Sequence, residues 1–202
     1  MAIDVSHWDG VIYTPEWKAI LEAGHSIVYM KATQGDKEDP VFAENYQNAT
    51  DAGLAVGAYT FLTALYPADA SIDFFYKTVK KALGRKTMKL PAVLDIEESG
   101  LKPEYVTKAL AIADKTFNRT CMIYGSKNFL ETHLTLADLS THPLWIAEYT
   151  MRDTPNLPNG CQEYAMWQYT DSGRLEGVQG AFDLNRVSPE FAKKYAPKLP
   201  TG

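Results

Sequence analysis

The sequence predicts an α/β fold: an irregular TIM-like barrel in a single domain, with five β/α units followed by three further strands. Eight short runs rich in β-branched and aromatic residues are each bounded by Gly, Pro, Asn or Asp, as strands are. Stretches of helical periodicity follow the first five runs, and the last three connections are too short for full helices. No glycine-rich phosphate motif follows the first run, which disfavours the rival open, doubly wound sheet.

The predicted strands are defined by their apolar runs and by the chain-breaking residues around them. In order they are residues 2–8, 26–33, 55–62, 90–97, 121–126, 144–150, 164–170 and 182–187. The predicted helices are stretches of helical periodicity, and all but the last of them begin at a proline or end before a glycine, in agreement with the usual caps. They are residues 15–23, 41–52, 67–83, 103–117 and 127–134.

Length and composition exclude several function classes. A chain of 202 residues can bury one large core. Lys and Arg number 20 against 25 Asp and Glu, so the positive surplus that nucleic-acid binding needs is missing, and nucleic acid is not an expected partner. No apolar run approaches the ~20 residues that span a bilayer, so no membrane insertion is expected. The spacing of Cys121 and Cys161 neither requires nor excludes a disulfide.

Polar residues gather near the carboxyl ends of the predicted strands, where the active site of a β/α barrel lies. From the first strand to the eighth they are Asp4 and Ser6, Lys31 and Thr33, Tyr59, Asp95 and Glu97, Tyr124 and Ser126, Glu148 and Tyr149, Gln168 and Tyr169, and Asp183, which stands early in its strand. Aromatic side chains in the same regions offer flat apolar faces to sugar rings. They are Trp8, Tyr59, Phe61, Tyr124, Trp145, Tyr149, Trp167 and Tyr169.

The strongest chemical signal is an apolar run that ends in Asp95 and Glu97. Side chains at i and i+2 share one face of a strand, so both carboxyls are predicted to face into the barrel. Crowding them at a partly desolvated site raises the pKa of one, which keeps a proton available for a leaving oxygen, as in glycosidases. An isolated pair of this kind more often caps a helix. Asp4 and Asp183, on strands that would neighbour each other where the barrel closes, make four inward acids, more than capping requires.

Other chemistries lack their signatures. The four histidines show no metal-ligand spacing, so neither a catalytic metal nor another cofactor is expected. Gly125-Ser126 lacks the nucleophile elbow of serine hydrolases, and neither cysteine stands in a nucleophile motif. The spacing of Asp95 and Glu97 does not choose between a retaining and an inverting glycosidase.

Seven segments, which together extend over nearly the whole chain, carry a resemblance to a known family. They are Ile3-Asp4-Val5-Ser6-His7-Trp8, Tyr29-Met30-Lys31-Ala32-Thr33-Gln34-Gly35, Ala52-Gly53-Leu54-Ala55-Val56-Gly57-Ala58-Tyr59, Leu94-Asp95-Ile96-Glu97, Leu144-Trp145-Ile146-Ala147-Glu148-Tyr149, Trp167-Gln168-Tyr169-Thr170 and Phe182-Asp183-Leu184-Asn185. In this order they resemble glycoside hydrolase family 25, the Chalaropsis-type lysozymes or N-acetylmuramidases, which include phage endolysins. The resemblance implies a barrel of five β/α units and three strands. It also implies hydrolysis of the β-1,4 bond between N-acetylmuramic acid and N-acetylglucosamine in peptidoglycan.

The resemblance assigns roles to the four acids. It implies that Glu97 is the general acid and that Asp95 orients or stabilises the substrate's acetamido group, or acts as nucleophile. Asp4 and Asp183 would complete the acidic floor of the site. The remaining expected substrate-binding residues are Tyr59, Tyr124, Trp145, Glu148, Tyr149, Gln168 and Lys31.

Three positions depart from the family pattern. Asp9 stands where an amide is common, Gln34 replaces a frequent Glu, and Thr60 replaces a frequent His. These differences bear on subsite preference and pH optimum. Two alternatives stay open: a cell-wall glycan-binding barrel without turnover, and a chitinase-like glycosidase. The chitinase motif is disfavoured because its two upstream acids would fall on Leu90 and Val93, which are apolar.

The expected organisation is a catalytic barrel over residues 1–196 and a C-terminal tail over residues 197–202, active as a monomer on the peptidoglycan glycan strands of a cell wall. The first residues contain no basic segment followed by an apolar one, so no secretory signal is predicted in this chain. An endolysin released from the host cytoplasm by a holin, a domain of a longer chain and a secreted enzyme in mature form each fit that observation.

Overall fold

The computed structural model describes residues 1–197, and in it eight strands close into one barrel. The strands are β1 (Ala2–Val5), β2 (Ile27–Gln34), β3 (Lys37–Glu38), β4 (Ala55–Phe61), β5 (Val93–Asp95), β6 (Met122–Ser126), β7 (Leu144–Ala147), β8 (Met166–Gly173) and β9 (Phe182–Val187). Around the barrel the order is β1-β9-β8-β7-β6-β5-β4-β2, and the pairing of β1 with β2 closes it. The short β3 extends β2 outside the ring. Of the predicted tail, residues 198–202 lie outside the described residues.

Helices follow the first five barrel strands, as predicted. The helices in the described residues are α1 (Thr14–Glu22), α2 (Phe42–Ala52), α3 (Ala68–Leu83), α4 (Pro103–Phe117), α5 (Lys127–His133), α6 (Leu136–Thr141) and α7 (Pro189–Tyr195). Neither α6 nor α7 was predicted, because helices of six and seven residues seldom display a clear apolar period. Their caps are readable all the same, since the hydroxyls of Thr135 and Ser188 accept the first-turn backbone N–H groups.

The last strand departs from the parallel sheet that an alternation of strands and helices predicts. β9 runs antiparallel to both of its neighbours, β8 and β1, whereas the other barrel pairings are parallel. A short connection suffices between antiparallel strands, while a parallel pair needs a longer crossover. The amino end of β9 therefore lies beside the carboxyl ends of the other strands. This reversal explains why Asp183, early in its strand, reaches the same end of the barrel as residues late in theirs.

Side chains alternate between the barrel interior and the layer beneath the helices. Tyr29, Met122 and Trp145 belong to the interior cluster, and the outer cluster packs β-strand residues such as Val28 against the helices. At Gly57 an added Cβ would lie 2.3 Å from the ring of Tyr29, so only glycine leaves room for that ring to cross the interior. The ring of Tyr29 thus fills this part of the barrel interior.

Two further predictions concern membrane insertion and the two cysteines. Within the part of the chain that the structure describes, no helix is long and apolar enough to cross a membrane. Cys121 and Cys161 are both free thiols, the first buried and the second partly exposed.

Candidate active site

A cavity of about 280 Å³ opens at the carboxyl ends of the parallel strands. It is lined by Asp4, Ser6, Trp8, Lys31, Gln34, Tyr59, Phe61, Asp95, Glu97, Tyr124, Trp145 and Asp183. All four predicted acids therefore meet in one place, although they come from β1, β9 and the end of β5. A larger depression of about 820 Å³ lies between α6 and α7 at the opposite end of the barrel, away from these acids.

Asp95 and Glu97 stand at the end of β5 in different environments. Asp95 is 5% exposed, and its Oδ1 has no hydrogen-bond partner among the described residues. Burial, and then the charges of Glu97 and Asp4, raise the pKa of Asp95 well above its usual range, and Lys31 opposes that shift. Glu97 lies at the exposed rim, where partial desolvation of its carboxyl raises its pKa. Since both pKa values are raised, the pair retains a proton at a higher pH than free carboxyls do.

Asp4 and Asp183 face each other across the β1–β9 pairing. Burial, followed by the charge of Asp183, raises the pKa of Asp4 well above its usual range. Burial is also the largest cause for Asp183, whose pKa is raised to about 7. The two pairs of acids make the floor of the cavity a region in which negative charge is costly.

Gln168 lies beneath the acids, 1% exposed, as a hydrogen-bonding centre. Its Nε2 donates to both carboxyl oxygens of Asp4, at 3.1 Å each, and to Oδ2 of Asp183 at 3.4 Å. Its Oε1 accepts from the hydroxyls of Tyr124 and Tyr149, at 2.9 Å each. Gln168 therefore supports the acids and the tyrosines from below and is not among the residues that line the cavity.

No role was predicted for Asn185, which completes the support of Asp4. Its Nδ2 donates to Oδ1 of Asp4 at 2.7 Å, and its Oδ1 accepts from the indole of Trp145 at 2.6 Å. The sequence spacing could have predicted this position, because Asn185 stands two residues after Asp183 and therefore shares its face of the strand.

Glu148 does not reach the cavity. Its carboxylate accepts from Nη2 of Arg152 and from Nδ2 of Asn156, at 2.7 Å each, and from the backbone N–H of Asn156 at 2.5 Å. It thereby fastens the loop after β7, which carries Tyr149. The expectation that Glu148 contacts substrate is not supported by this position, and Tyr149 reaches the site only through the bond of its hydroxyl to Gln168.

Lys31 is anchored by an acid that sequence patterns did not single out. Its Nζ lies 3.8 Å from Oδ2 of Asp39, which also accepts from the backbone N–H of His7 at 2.9 Å and lies 3.0 Å from its Nδ1. Asp39 is 4% exposed. In the sequence it precedes Pro40 and is typical of a turn residue, so no pattern distinguished it.

The three departures from the family pattern fall in different places. Gln34 lines the cavity, and Asp9 caps a short 3-10 helix by accepting the backbone N–H of Ser6 at 2.8 Å. Thr60 is buried on the outer face of β4, with its Oγ1 2.7 Å from that of Thr33. Thr60 is therefore not among the residues that line the cavity.

The aromatic residues divide between the cavity and the outer layer. Trp8, Tyr59, Phe61, Tyr124 and Trp145 line the cavity. Trp167 and Tyr169 instead flank the guanidinium of Arg186, with their ring centres 4.9 and 5.5 Å from its Cζ. A β/α barrel whose end carries adjacent carboxyls of raised pKa within aromatic walls defines a glycoside hydrolase site.

Comparisons with known proteins specify the family. The model of the Glycosyl hydrolases family 25 matches residues 3–178. Lysozyme M1 of Streptomyces globisporus is 30% identical over 208 residues, which cover 96% of this chain and 69% of that protein. The autolytic lysozyme of Clostridium acetobutylicum is 30% identical over 193 residues, and the match covers 92% of this chain and 55% of that lysozyme.

Solved structures agree with that match. The bacterial lysozyme from Streptomyces coelicolor superposes with a TM-score of 0.78 at 30% identity, covering 96% of this chain and 94% of its own. The CTP1L endolysin superposes with a TM-score of 0.77 at 27% sequence identity, and the match covers 95% of this chain and 67% of the endolysin chain. The chain belongs to glycosyl hydrolase family 25, the lysozyme family, and is a glycoside hydrolase. The predicted family, fold class and enzyme class are thereby confirmed.

Proposed function

We propose that the protein is a 1,4-β-N-acetylmuramidase, which hydrolyses the bond between N-acetylmuramic acid and N-acetylglucosamine in peptidoglycan. The observation that carries the proposal is the neighbouring pair of Asp95 and Glu97 in a cavity of sugar-binding character, with one buried oxygen of Asp95 left without a partner. Relatives named as lysozymes support the same substrate.

Glu97 acts as the general acid. Its position at the rim gives it access to a glycosidic oxygen, and because partial burial raises its pKa, it holds its proton to a higher pH than a free carboxyl does. Proton transfer from Glu97 to that oxygen accompanies cleavage of the bond to the anomeric carbon, so the leaving sugar departs as a neutral alcohol.

Asp95 orients the acetamido group of the sugar that stays behind. A buried polar atom without a partner costs about 1–3 kcal/mol, and an acetamido N–H supplies the partner that Oδ1 of Asp95 lacks. With its N–H held there, the acetamido oxygen attacks the anomeric carbon and forms an oxazolinium ion. Water then attacks the anomeric carbon of this ion, and the Glu97 carboxylate takes a proton from that water, which restores the acid. Two successive displacements at the anomeric carbon retain its configuration.

The remaining residues hold this pair and the sugar in place. Burial, then the charge of Glu97 and last that of Asp4 raise the pKa of Asp95, and the amide of Gln168 fixes the orientation of Asp4. Tyr59, Tyr124 and Trp145 form the walls of the cavity. Because one chain supplies every lining residue, we expect the monomer to be active, and its place of action is the cell wall.

The test is mass spectrometry of the products released from purified peptidoglycan after borohydride reduction, with Glu97→Gln as the matched control. We expect reduced muramic acid ends from the wild type and a rate lower by about 10²–10⁴ in the control. Reduced glucosamine ends would assign the other bond. Bound glycan without new ends would favour the alternative, a glycan-binding barrel without turnover.

A further inference from the structure

Trp8 differs from the other three tryptophans of the chain in its exposure. It is 85% exposed, whereas Trp17, Trp145 and Trp167 are at most 1% exposed. Nevertheless Trp8 lines the catalytic cavity, at the rim next to Ser6. An indole with a free face beside a polar cavity is suited to stacking on the C–H face of a sugar ring.

The turn that carries Trp8 is fixed by several hydrogen bonds. The backbone N–H of Ser6 donates to Asp9 at 2.8 Å, that of Trp8 to Oγ of Ser6 at 3.3 Å, and that of His7 to Asp39 at 2.9 Å. The His7 ring lies against the indole with ring centres 4.5 Å apart. The backbone that carries the indole is therefore fixed before any ligand arrives, which lowers the entropic cost of binding.

A second cavity of about 200 Å³ adjoins the catalytic one at this rim. It is lined by His7, Lys31, Gln34, Lys37, Glu38, Asp39 and Pro40, and it shares Lys31 and Gln34 with the catalytic cavity. His7 lines the second cavity and Trp8 the first, so the two neighbouring rings stand at the junction of the cavities. A linear ligand that leaves the acids on this side passes over the indole.

We propose that Trp8, backed by His7, and the adjoining cavity form an additional saccharide subsite, which binds the glycan strand beyond the disaccharide that is cleaved. The indole stacks on one sugar ring. The side chains of Gln34, Lys37 and Glu38 supply donors and acceptors for hydroxyl and acetamido groups. The inference rests on the proposed function, because it assumes that a glycan occupies the catalytic cavity.

Intrinsic fluorescence tests this subsite directly, because Trp8 is the exposed tryptophan. In a Glu97→Gln background, which prevents turnover, acrylamide quenching is measured with peptide-free peptidoglycan di-, tetra- and hexasaccharides. We expect the two longer glycans to protect Trp8 from quenching and the disaccharide not to protect it. A further Trp8→Phe substitution should remove the quenchable component. Equal quenching with and without every one of these glycans overturns the proposal.

Kinetics give an independent measurement. Trp8→Ala should lower kcat/KM for hexasaccharide by about tenfold, from the loss of one aromatic stacking contact, and should lower it by less for the shortest cleaved substrate. Trp8→Tyr should restore part of the loss. Tyr13→Ala, which removes a 59% exposed aromatic side chain outside both cavities, is the matched control. An equal loss at every length, or no loss at any length, overturns the subsite.

The two proposals fail in different ways. If the wild type releases muramic acid ends while Trp8→Ala matches it at all lengths, only the subsite is wrong. If glycans protect Trp8 while the wild type cleaves nothing, the subsite stands and the proposed hydrolysis is wrong.

Discussion

Replacing Gln168 with methionine removes the buried amide that joins the acids to the tyrosines, at nearly constant side-chain length. The amide hydrogen bond to the Asp4–Asp183 pair is expected to contribute about 1.5–3 kcal/mol at pH 8, where the pair carries charge. The buried hydroxyl of Tyr124 loses its acceptor, which costs about 1–3 kcal/mol more. Tyr149 is exposed and can bond to water, so it adds nothing to the loss.

The predicted loss in the free energy of unfolding is therefore about 2.5–6 kcal/mol. At about 2–4 °C per kcal/mol for a domain of this size, the melting temperature should fall by roughly 5–24 °C. The assay is thermal unfolding followed by circular dichroism at pH 8. Gln47→Met, on the exposed face of α2, is the matched control and should stay within about 0.5 kcal/mol of the wild type. A Gln168→Met melting temperature equal to that of the control would refute the assigned role of the amide.

Three further predictions concern other contacts. Because burial raises the pKa of Asp183 to about 7, the folded state holds a proton that the unfolded state has lost, and stability falls as pH rises from about 4 to 7. Asp183→Asn should reduce that fall in melting temperature and shift the pH–activity profile; unchanged curves would contradict the shift. Glu148→Gln should speed tryptic cleavage after Arg152, because the substitution removes the charged partner of that arginine. It should lower the global free energy of unfolding by at most about 1 kcal/mol. An unchanged cleavage rate would show that other contacts hold the loop. Gly57→Ala should destabilise the barrel by about 1–3 kcal/mol in urea unfolding, because its Cβ meets the ring of Tyr29, and wild-type stability would mean that the ring moves aside.

The sequence reports local structure where a segment is long or strictly periodic. The ends of helices such as α3 and α4 were predicted to within one residue, because their apolar stripes and caps depend only on residues near one another in the chain. The predicted strand 90–97 was too long: β5 covers Val93–Asp95. Pro91 has no N–H to donate, and Glu97 lies beyond the end of the strand at the rim.

The role of each residue in the candidate site was harder to predict than which residues lie there. Strand-end position alone brought Asp4, Asp95, Glu97 and Asp183 together correctly, since the geometry of a barrel requires it. The same rule put Glu148 in the site, but strand-end position does not reveal that Arg152 and Asn156 occupy its carboxylate.

The sequence by itself therefore determined the barrel, its family and the four acids, because each depends on spacing along the chain. The tertiary structure alone decided the direction of β9, the burial of Gln168 beneath the acids and the contact of Asp39 with His7 and Lys31. These features join residues that are far apart in the chain. Their pKa values and hydrogen bonds depend on distances of a few ångströms in space, which no local pattern of residues records.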